Sequence, residues 1–313
     1  MSEYINKVNE IMNEVNKVVI GKNAIVEKVL TAVLAKGHIL IEDIPGVGKT
    51  TLALAFSKAM ALNCKRLQFT PDVLPTDITG FSIYNKELGA FEYKEGVIMT
   101  NLFLADEVNR TSSKTQSALL EVMEEGKVTV DGVTREVPNP FVVIATQNPI
   151  GSIGTHMLPE SQLDRFMIKL TMGYPSVESE IKMLKNKQNN TPLDEVNEII
   201  SEIDIIEMQK RVEQVFISDK NYEYIARLVF ETRNNSLIEF GVSPRGTIAL
   251  AQMAKSNAFI NGREYVIPED IIEVFDYVIS HRLVLSQKAK ANNYLVEDII
   301  NEIKNKVKAP AIR

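Results

Sequence analysis

The sequence predicts an α/β fold, a five-stranded parallel sheet flanked by helices, followed by an all-helical second part. Three observations predict it. Up to about Met172, short apolar runs alternate with helical segments, the pattern of a parallel sheet covered by helices. The stretch GYPS, residues 173–176, is a turn-rich break. Beyond it, apolar residues recur at helical spacing. The expected parts are therefore residues 1–172 and 173–313.

The five expected strands cover 38–42, 66–69, 101–105, 141–146 and 166–170. Two pieces interrupt the strand–helix alternation. The stretch GFSIYNKELGAFEYKEG offers a hairpin of residues 81–84 against 90–93. In GKVTVDGVTREV, residues 128–130 and 133–137 are joined by Asp131 and Gly132, a two-residue turn that suits a type I′ hairpin. Between them, Ser113 and Gln116 read as a capping box, and Leu119, Val122 and Met123 as the apolar stripe of the helix they start. In the second part the stripes are Ile205, Met208 and Val212; Tyr222, Ile225, Ala226 and Val229; and Val296, Ile299, Ile300 and Ile303. Pro268 with Glu269 and Asp270 gives one helix a proline-and-acid first turn, and Ser243 with Pro244 caps another.

With 313 residues, 45% hydrophobic and 24% charged, the chain can bury a sizeable core. A net charge of −6 argues weakly against a dedicated nucleic-acid binder. The single cysteine, Cys64, excludes an internal disulfide and a cysteine-built zinc site, and reads as a small buried residue. No apolar run approaches the roughly 18 residues that span a bilayer. The start, MSEYINKVNEIMNEV, is acidic and amphipathic, unlike a signal peptide, so a cytoplasmic location is expected. His38, His156 and His281 are scattered without metal-site spacing, and structural roles are expected of them.

The chemistry gathers around HILIEDIPGVGKTTLALAF, residues 38–56. A phosphate loop of the form G-x-x-x-x-G-K-S/T should open with glycine, and here that position holds Asp43. The rest fits. A short apolar strand precedes the turn and a run of helix formers follows it, so backbone N–H groups and the helix dipole converge on an anion. Gly46 and Gly48 let the backbone approach phosphate, Lys49 would reach the β- and γ-phosphates, and Thr50 would ligate magnesium. Asp43 is tolerable because Asp visits left-handed conformations more readily than most residues, with its carboxylate turned away from the phosphates. The alternative is an ordinary Gly-containing strand–helix turn.

The stretch NLFLADE ends a buried strand in two adjacent carboxylates. Asp106 would hold the hydrated metal and Glu107 would orient and activate the attacking water. A solvated acidic turn is the plainer alternative, but its order after a phosphate loop favours catalysis. Asn148 ends FVVIATQNP, where it can hydrogen-bond water or γ-phosphate. Arg165 follows a short helix in LPESQLDRF, and Arg245 stands in the first turn after Ser243. A guanidinium supplied as a finger accelerates phosphoryl transfer by roughly 10³–10⁵-fold.

The residues IEDIPGVGKT, RLQFTPDVLPTDITG, FLADEVNR, QSALLEVMEE, IATQNP, GTHMLPESQLDRF and GVSPRGTIAL together resemble the MoxR family of AAA+ ATPases over nearly the whole chain. The resemblance implies an AAA+ core followed by a helical lid. It implies ATP with Mg2+ as cofactors, the nucleotide held by Pro45, Gly46, Val47, Gly48, Lys49, Thr50 and Thr51 of Walker A and by Arg245, the metal by Thr50 and by Asp106 of Walker B, with Glu107 of Walker B catalytic. Asn148 would be sensor 1, Arg245 sensor 2, and Arg165 an arginine finger for a neighbouring subunit's site. VVIGK, with Val19, Ile20 and Gly21, resembles the segment that lines the adenine pocket. The two hairpins are similar to the helix-2 insert and the pre-sensor-1 hairpin, which often face a ring pore. Phe81, Tyr84 and Phe91 are the candidate pore residues, with burial of at least one of them the plainer expectation. The sequence departs from the pattern at Asp43, at His156-Met157 where an aromatic–proline pair is expected, and at Gly246 where alanine is expected.

The function so implied is a magnesium-dependent ATPase that assembles into a ring, expected to be a hexamer, and remodels or activates partner proteins. A von Willebrand A domain protein is the kind of partner the resemblance implies. Two rivals are weighed against it. A nucleic-acid-directed motor is disfavoured by the acidic balance and the lack of an appended DNA-binding motif. A nucleotide-dependent switch with little hydrolysis would not need Glu107, Asn148 and Arg165.

Overall fold

The computed structural model describes residues 2–148, 158–187 and 192–310. Helices α1 (Ser2–Val18) and α2 (Asn23–Leu34) precede strand β1 (Ile39–Glu42), and α3 (Lys49–Ala59) leads to β2 (Cys64–Gln68). A short α4 (Pro75–Thr79) opens the hairpin β3 (Gly80–Asn85) and β4 (Ala90–Glu95). Strand β5 (Leu102–Asp106) and α5 (Ser113–Glu125) follow, then the hairpin β6 (Lys127–Val130) and β7 (Val133–Glu136). The first part closes with β8 (Val142–Gln147), α6 (Glu160–Leu163) and β9 (Ile168–Leu170). The second part comprises α7 (Val177–Lys187), α8 (Glu202–Gln214), α9 (Asp219–Arg233), β10 (Ile238–Phe240), α10 (Pro244–Ile260), α11 (Pro268–Ile279), β11 (Val284–Leu285), α12 (Gln287–Ala291) and α13 (Val296–Lys306).

All five expected strands form, and they make one parallel sheet in the order β2-β5-β8-β1-β9. Side chains alternate between its faces, as a strand's period of two requires. Ile39, Ile41, Leu102, Leu104, Val142 and Ile144 join one buried cluster, while Leu40, Phe103, Ala105, Val143 and Ala145 join another under α5. With both faces covered, β5 and β8 are buried throughout, which is why each reads as an apolar run up to its polar C-terminal end. Because the strands are parallel, their C-terminal ends lie along one edge, where ligands of such sheets bind.

The larger cluster does not stop at the change of architecture. It runs from Val8, Ile11 and Val15 of α1 through the sheet to Leu250, Phe259, Phe275 and Ile300 of the second part. Polar bonds sew the same seam: Ser256 Oγ donates to Thr31 O at 2.7 Å, and Gln209 Nε2 to Val33 O at 2.8 Å.

Several local expectations need correction. The second part is not wholly helical, since β10 pairs antiparallel with β11, a contact between distant segments too short to carry a pattern. The cap of α5 is Ser112, which accepts from Thr115 N, and Gln116 instead donates to Val108 O at 3.0 Å. The buried stripe of α9 is Tyr224, Ile225, Leu228 and Val229, while Tyr222 is exposed. Cys64 is only half-buried, because β2 is an edge strand. Phe81, Tyr84 and Phe91 are all exposed, with the Tyr84 and Phe91 rings packed edge-on across the hairpin at 5.4 Å. The Asp131-Gly132 turn has positive φ at both residues, 52° and 76°, as a type I′ turn requires. His156 and Met157 lie outside the described residues. Among the described residues, no helix is long and apolar enough to cross a membrane.

Candidate functional site

The loop after β1 takes its shape from two glycines. Gly46 and Gly48 have φ of 87° and 95°, and a Cβ on either would meet nothing within 4 Å. Glycine is thus required there by backbone conformation, and the space beside each is open to a ligand. Asp43 differs from expectation, for it is not among the residues with positive φ. Its carboxylate is buried and faces away from the loop's mouth, accepting from Ile44 N at 2.8 Å and from Gly173 N at 2.6 Å. Through Gly173, the acid in the glycine's place ties the loop to the GYPS segment. Lys49, the first residue of α3, buries its ammonium and donates to Asp43 O at 2.8 Å. Burial lowers its pKa, and the negative charges of Asp106, Asp43 and Glu107 partly offset that. Thr50 and Thr51 follow in the same helical turn, beside the N–H groups the helix leaves unpaired.

The two carboxylates at the end of β5 converge on this loop. Asp106 Oδ1 accepts from Thr146 Oγ1 at 2.5 Å, and its Oδ2 accepts from Arg66 Nη2 at 2.7 Å. Glu107 leaves the strand in a left-handed conformation, φ 57°. That turn brings its carboxylate to the side Asp106 faces, at a cost of about 1–2 kcal/mol for a non-glycine residue. Thr146 Oγ1 also accepts from Glu107 N at 2.9 Å, so one hydroxyl fixes both acids. Glu107 Oε1 accepts from Asn148 Nδ2 at 3.2 Å, and Oε2 from Arg110 Nη1 at 3.0 Å. Asn148 Oδ1 is buried with no hydrogen-bond partner among the described residues, a spare acceptor beside the carboxylate. Arg66 and Thr146 were not legible as site residues, because each acts through a strand neighbour.

A cavity of about 430 Å³ adjoins the loop. Val19 and Ile20 line one side with Gly46, Val47, Gly48 and Thr51, and Met172 and Pro175 line the other. Pro45 is exposed at the loop's tip. Gly21 has φ 75°, and a Cβ there would fall 2.1 Å from Ser179 Oγ, so only glycine lets α7 approach. Lys22 Nζ donates to Met172 O at 2.5 Å and Tyr174 O at 2.9 Å, fastening the two walls together. The size and mostly apolar lining suit a flat aromatic ring system.

Arg165 and Arg245 are not brought to this edge. They line a second cavity with Gly37, His38 and Met123, at the N-terminal end of β1. From His38 to Asp43 the strand covers about 16 Å, so both guanidiniums sit far from the phosphate loop of their own chain. There they share one carboxylate. Glu124 Oε2 is 3.3 Å from Arg165 Nη2, and Oε1 accepts from Arg245 Nη2. Sequence pattern could not single out Glu124 within an acidic helix end. Below them, buried Arg282 is held by Asp164 at 2.8 Å and donates to Phe166 O at 2.6 Å.

This geometry agrees with what the chain is similar to. Residues 38–168 match the ATPase family associated with various cellular activities (AAA), and residues 230–303 match the AAA lid domain. An uncharacterized Bacillus subtilis protein, YeaC, is 48% identical over 302 residues, covering 96% of this chain and 94% of that one. The Mycobacterium tuberculosis chaperone MoxR1 is 40% identical over 308 residues, covering 96% of this chain and 81% of its own. A Cytophaga hutchinsonii protein of known crystal structure superposes with a TM-score of 0.92 at 42% identity, covering 99% of this chain and 96% of that one. Nucleotide binding and ATPase activity are properties of that family. By sequence, fold and site, this chain belongs to the MoxR family of AAA+ ATPases.

Proposed function

We propose that this chain hydrolyses ATP to ADP and phosphate with Mg2+, working as a ring, a hexamer, that remodels or activates partner proteins. Residues 1–172 are the nucleotide-binding core of that machine and 173–313 its lid. The observation that carries the reading is the separation of Arg165 and Arg245 from the phosphate loop of their own chain. Two solvent-facing guanidiniums held together serve phosphate best in another subunit's site.

The residues at the loop fit the cofactors. Lys49 is a buried cation at the mouth of the loop, and the open sides of Gly46 and Gly48 leave the backbone bare for phosphate oxygens. The hydroxyl of Thr50 and the carboxylate of Asp106 are the oxygen donors that would hold magnesium, a hard ion that keeps several waters. Bound there, the metal would neutralise charge on the β- and γ-phosphates. Val19, Ile20 and Gly21 would receive the adenine. Glu107, steadied by Asn148 and Arg110, would take a proton from the attacking water, and Asn148 Oδ1 would orient it. Arg165 and Arg245 would meet the γ-phosphate across the subunit boundary as charge develops.

The test is specific ATPase activity against protein concentration, beside Arg165→Ala. Turnover per subunit should rise with concentration, and the variant should bind ATP yet turn over roughly 10³-fold more slowly. Activity flat in concentration and indifferent to Arg165→Ala would end the shared-site reading.

A further inference from the structure

Glu124 has no part in the chemistry outlined above, yet it occupies the centre of the arginine pair. Three separate elements meet at its carboxylate: the last turn of α5, the segment between α6 and β9, and the first turn of α10. Nothing local requires this. Arg245 stands at the positive end of a helix dipole, an unfavourable place for a cation. Arg165 and Arg245 repel one another, and Arg282 lies close enough to add to the positive field. Asp164 is committed elsewhere, to Arg282 and to Ser243 Oγ at 2.8 Å. Among the described residues, Glu124 is the carboxylate paired with either outer arginine. The pair is also incompletely satisfied, for Arg165 Nε is buried with no hydrogen-bond partner among the described residues.

A carboxylate bridging two guanidiniums through its two oxygens has the arrangement a phosphate would take between the same forks. Resting on the ring reading above, we infer that Glu124 is an internal stand-in for γ-phosphate. In the free subunit it holds Arg165 and Arg245 together, facing outward as a preformed anion receptor. On assembly it is displaced by the γ-phosphate of ATP bound to the neighbouring subunit. The exchange is feasible because half-exposed ion pairs are weak and screened. A phosphoryl group brings more charge and three acceptor oxygens. ADP lacks that group and leaves Glu124 in place. The carboxylate thus competes with assembly and makes the competition sensitive to which nucleotide the neighbour holds.

The experiment measures self-association by sedimentation velocity in a Glu107→Gln background, which keeps ATP intact, with MgATP or MgADP. Glu124→Gln keeps the side chain's size and removes the competing charge. It should lower the half-association concentration in MgATP about three- to tenfold and leave it unchanged in MgADP. Glu121→Gln, one turn earlier on α5, should change neither. Adding Arg165→Ala should erase the gain from Glu124→Gln. Association in MgATP that is equal or weaker in Glu124→Gln overturns the stand-in role, as does an equal gain in both nucleotides. If the Glu107→Gln parent shows no ATP-dependent association at all, the ring reading itself fails and the inference falls with it.

Discussion

Replacing Asp43 by glycine would restore the general phosphate-loop pattern, and the structure predicts that it makes the protein worse. The buried carboxylate accepts from Ile44 N within the loop and from Gly173 N across the molecule. Hydrogen bonds to a charged group contribute about 1.5–3 kcal/mol each, and glycine adds about 0.5–1 kcal/mol of backbone entropy to the unfolded chain. Relief of the carboxylate's own desolvation returns part of this. A net loss of about 3 kcal/mol corresponds to about 6 °C in melting temperature, taking about 2 °C per kcal/mol for a chain of this size. Asp43→Asn, which keeps one acceptor oxygen, should lose about half as much. The assay is thermal unfolding with and without MgATP. Because Gly46, Gly48 and Lys49 are untouched, ATP should raise the melting temperature of wild type and variant by similar increments. An Asp43→Gly protein that melts at or above the wild type would refute the tether.

Other outcomes follow from the same contacts. Glu107→Gln should lower turnover by about 10²–10⁴-fold while ATP still binds, measured by steady-state hydrolysis and nucleotide titration. Arg282 is 2% exposed and bonded to Asp164 and to four backbone carbonyls, so Arg282→Met should cost about 3–5 kcal/mol in denaturant unfolding, with part recovered on adding Asp164→Leu. His38 is buried, accepting from Val143 N at Nδ1 and donating from Nε2 to Met123 O, and burial pushes its pKa down to about 4. Between pH 6.5 and 4 the unfolded chain therefore binds the extra proton and the native state does not. Stability should fall as pH drops through that window, by up to about 3 kcal/mol from this residue. Urea midpoints for wild type and His38→Gln at pH 7 and 4.5 would show it, the variant losing less.

What the sequence conveyed depended on how local the cause was. The sheet was legible because strands covered on both faces must be apolar along most of their length, and β5 and β8 open on the runs LFLA and VVIA before their polar ends. The phosphate loop was legible because glycines with positive φ, a lysine and a hydroxyl fall within one turn. Contacts across long separations were not. Asp43 makes sense only once Gly173 is beside it, Arg66 only once β2 pairs with β5, and Glu124 only once α6 and α10 approach the end of α5. Tyr222 fitted a helical stripe that lies one step round the helix from the face that is buried, a shift periodicity cannot resolve when both faces carry aromatics. The site's acids were found in the chain, but the threonine that aligns them sits on another strand.

The unbroken core has a mechanical meaning. Apolar packing passes from α1 through the sheet into α10, α11 and α13, so the parts before and after Gly173 share one buried cluster. Close-packed interiors are stiff and transmit strain. Relative movement of the two parts would therefore have to break apolar contacts and not merely bend a linker. A displacement at the phosphate edge is thus opposed by packing that reaches into the second part, not absorbed by the chain segment between the two.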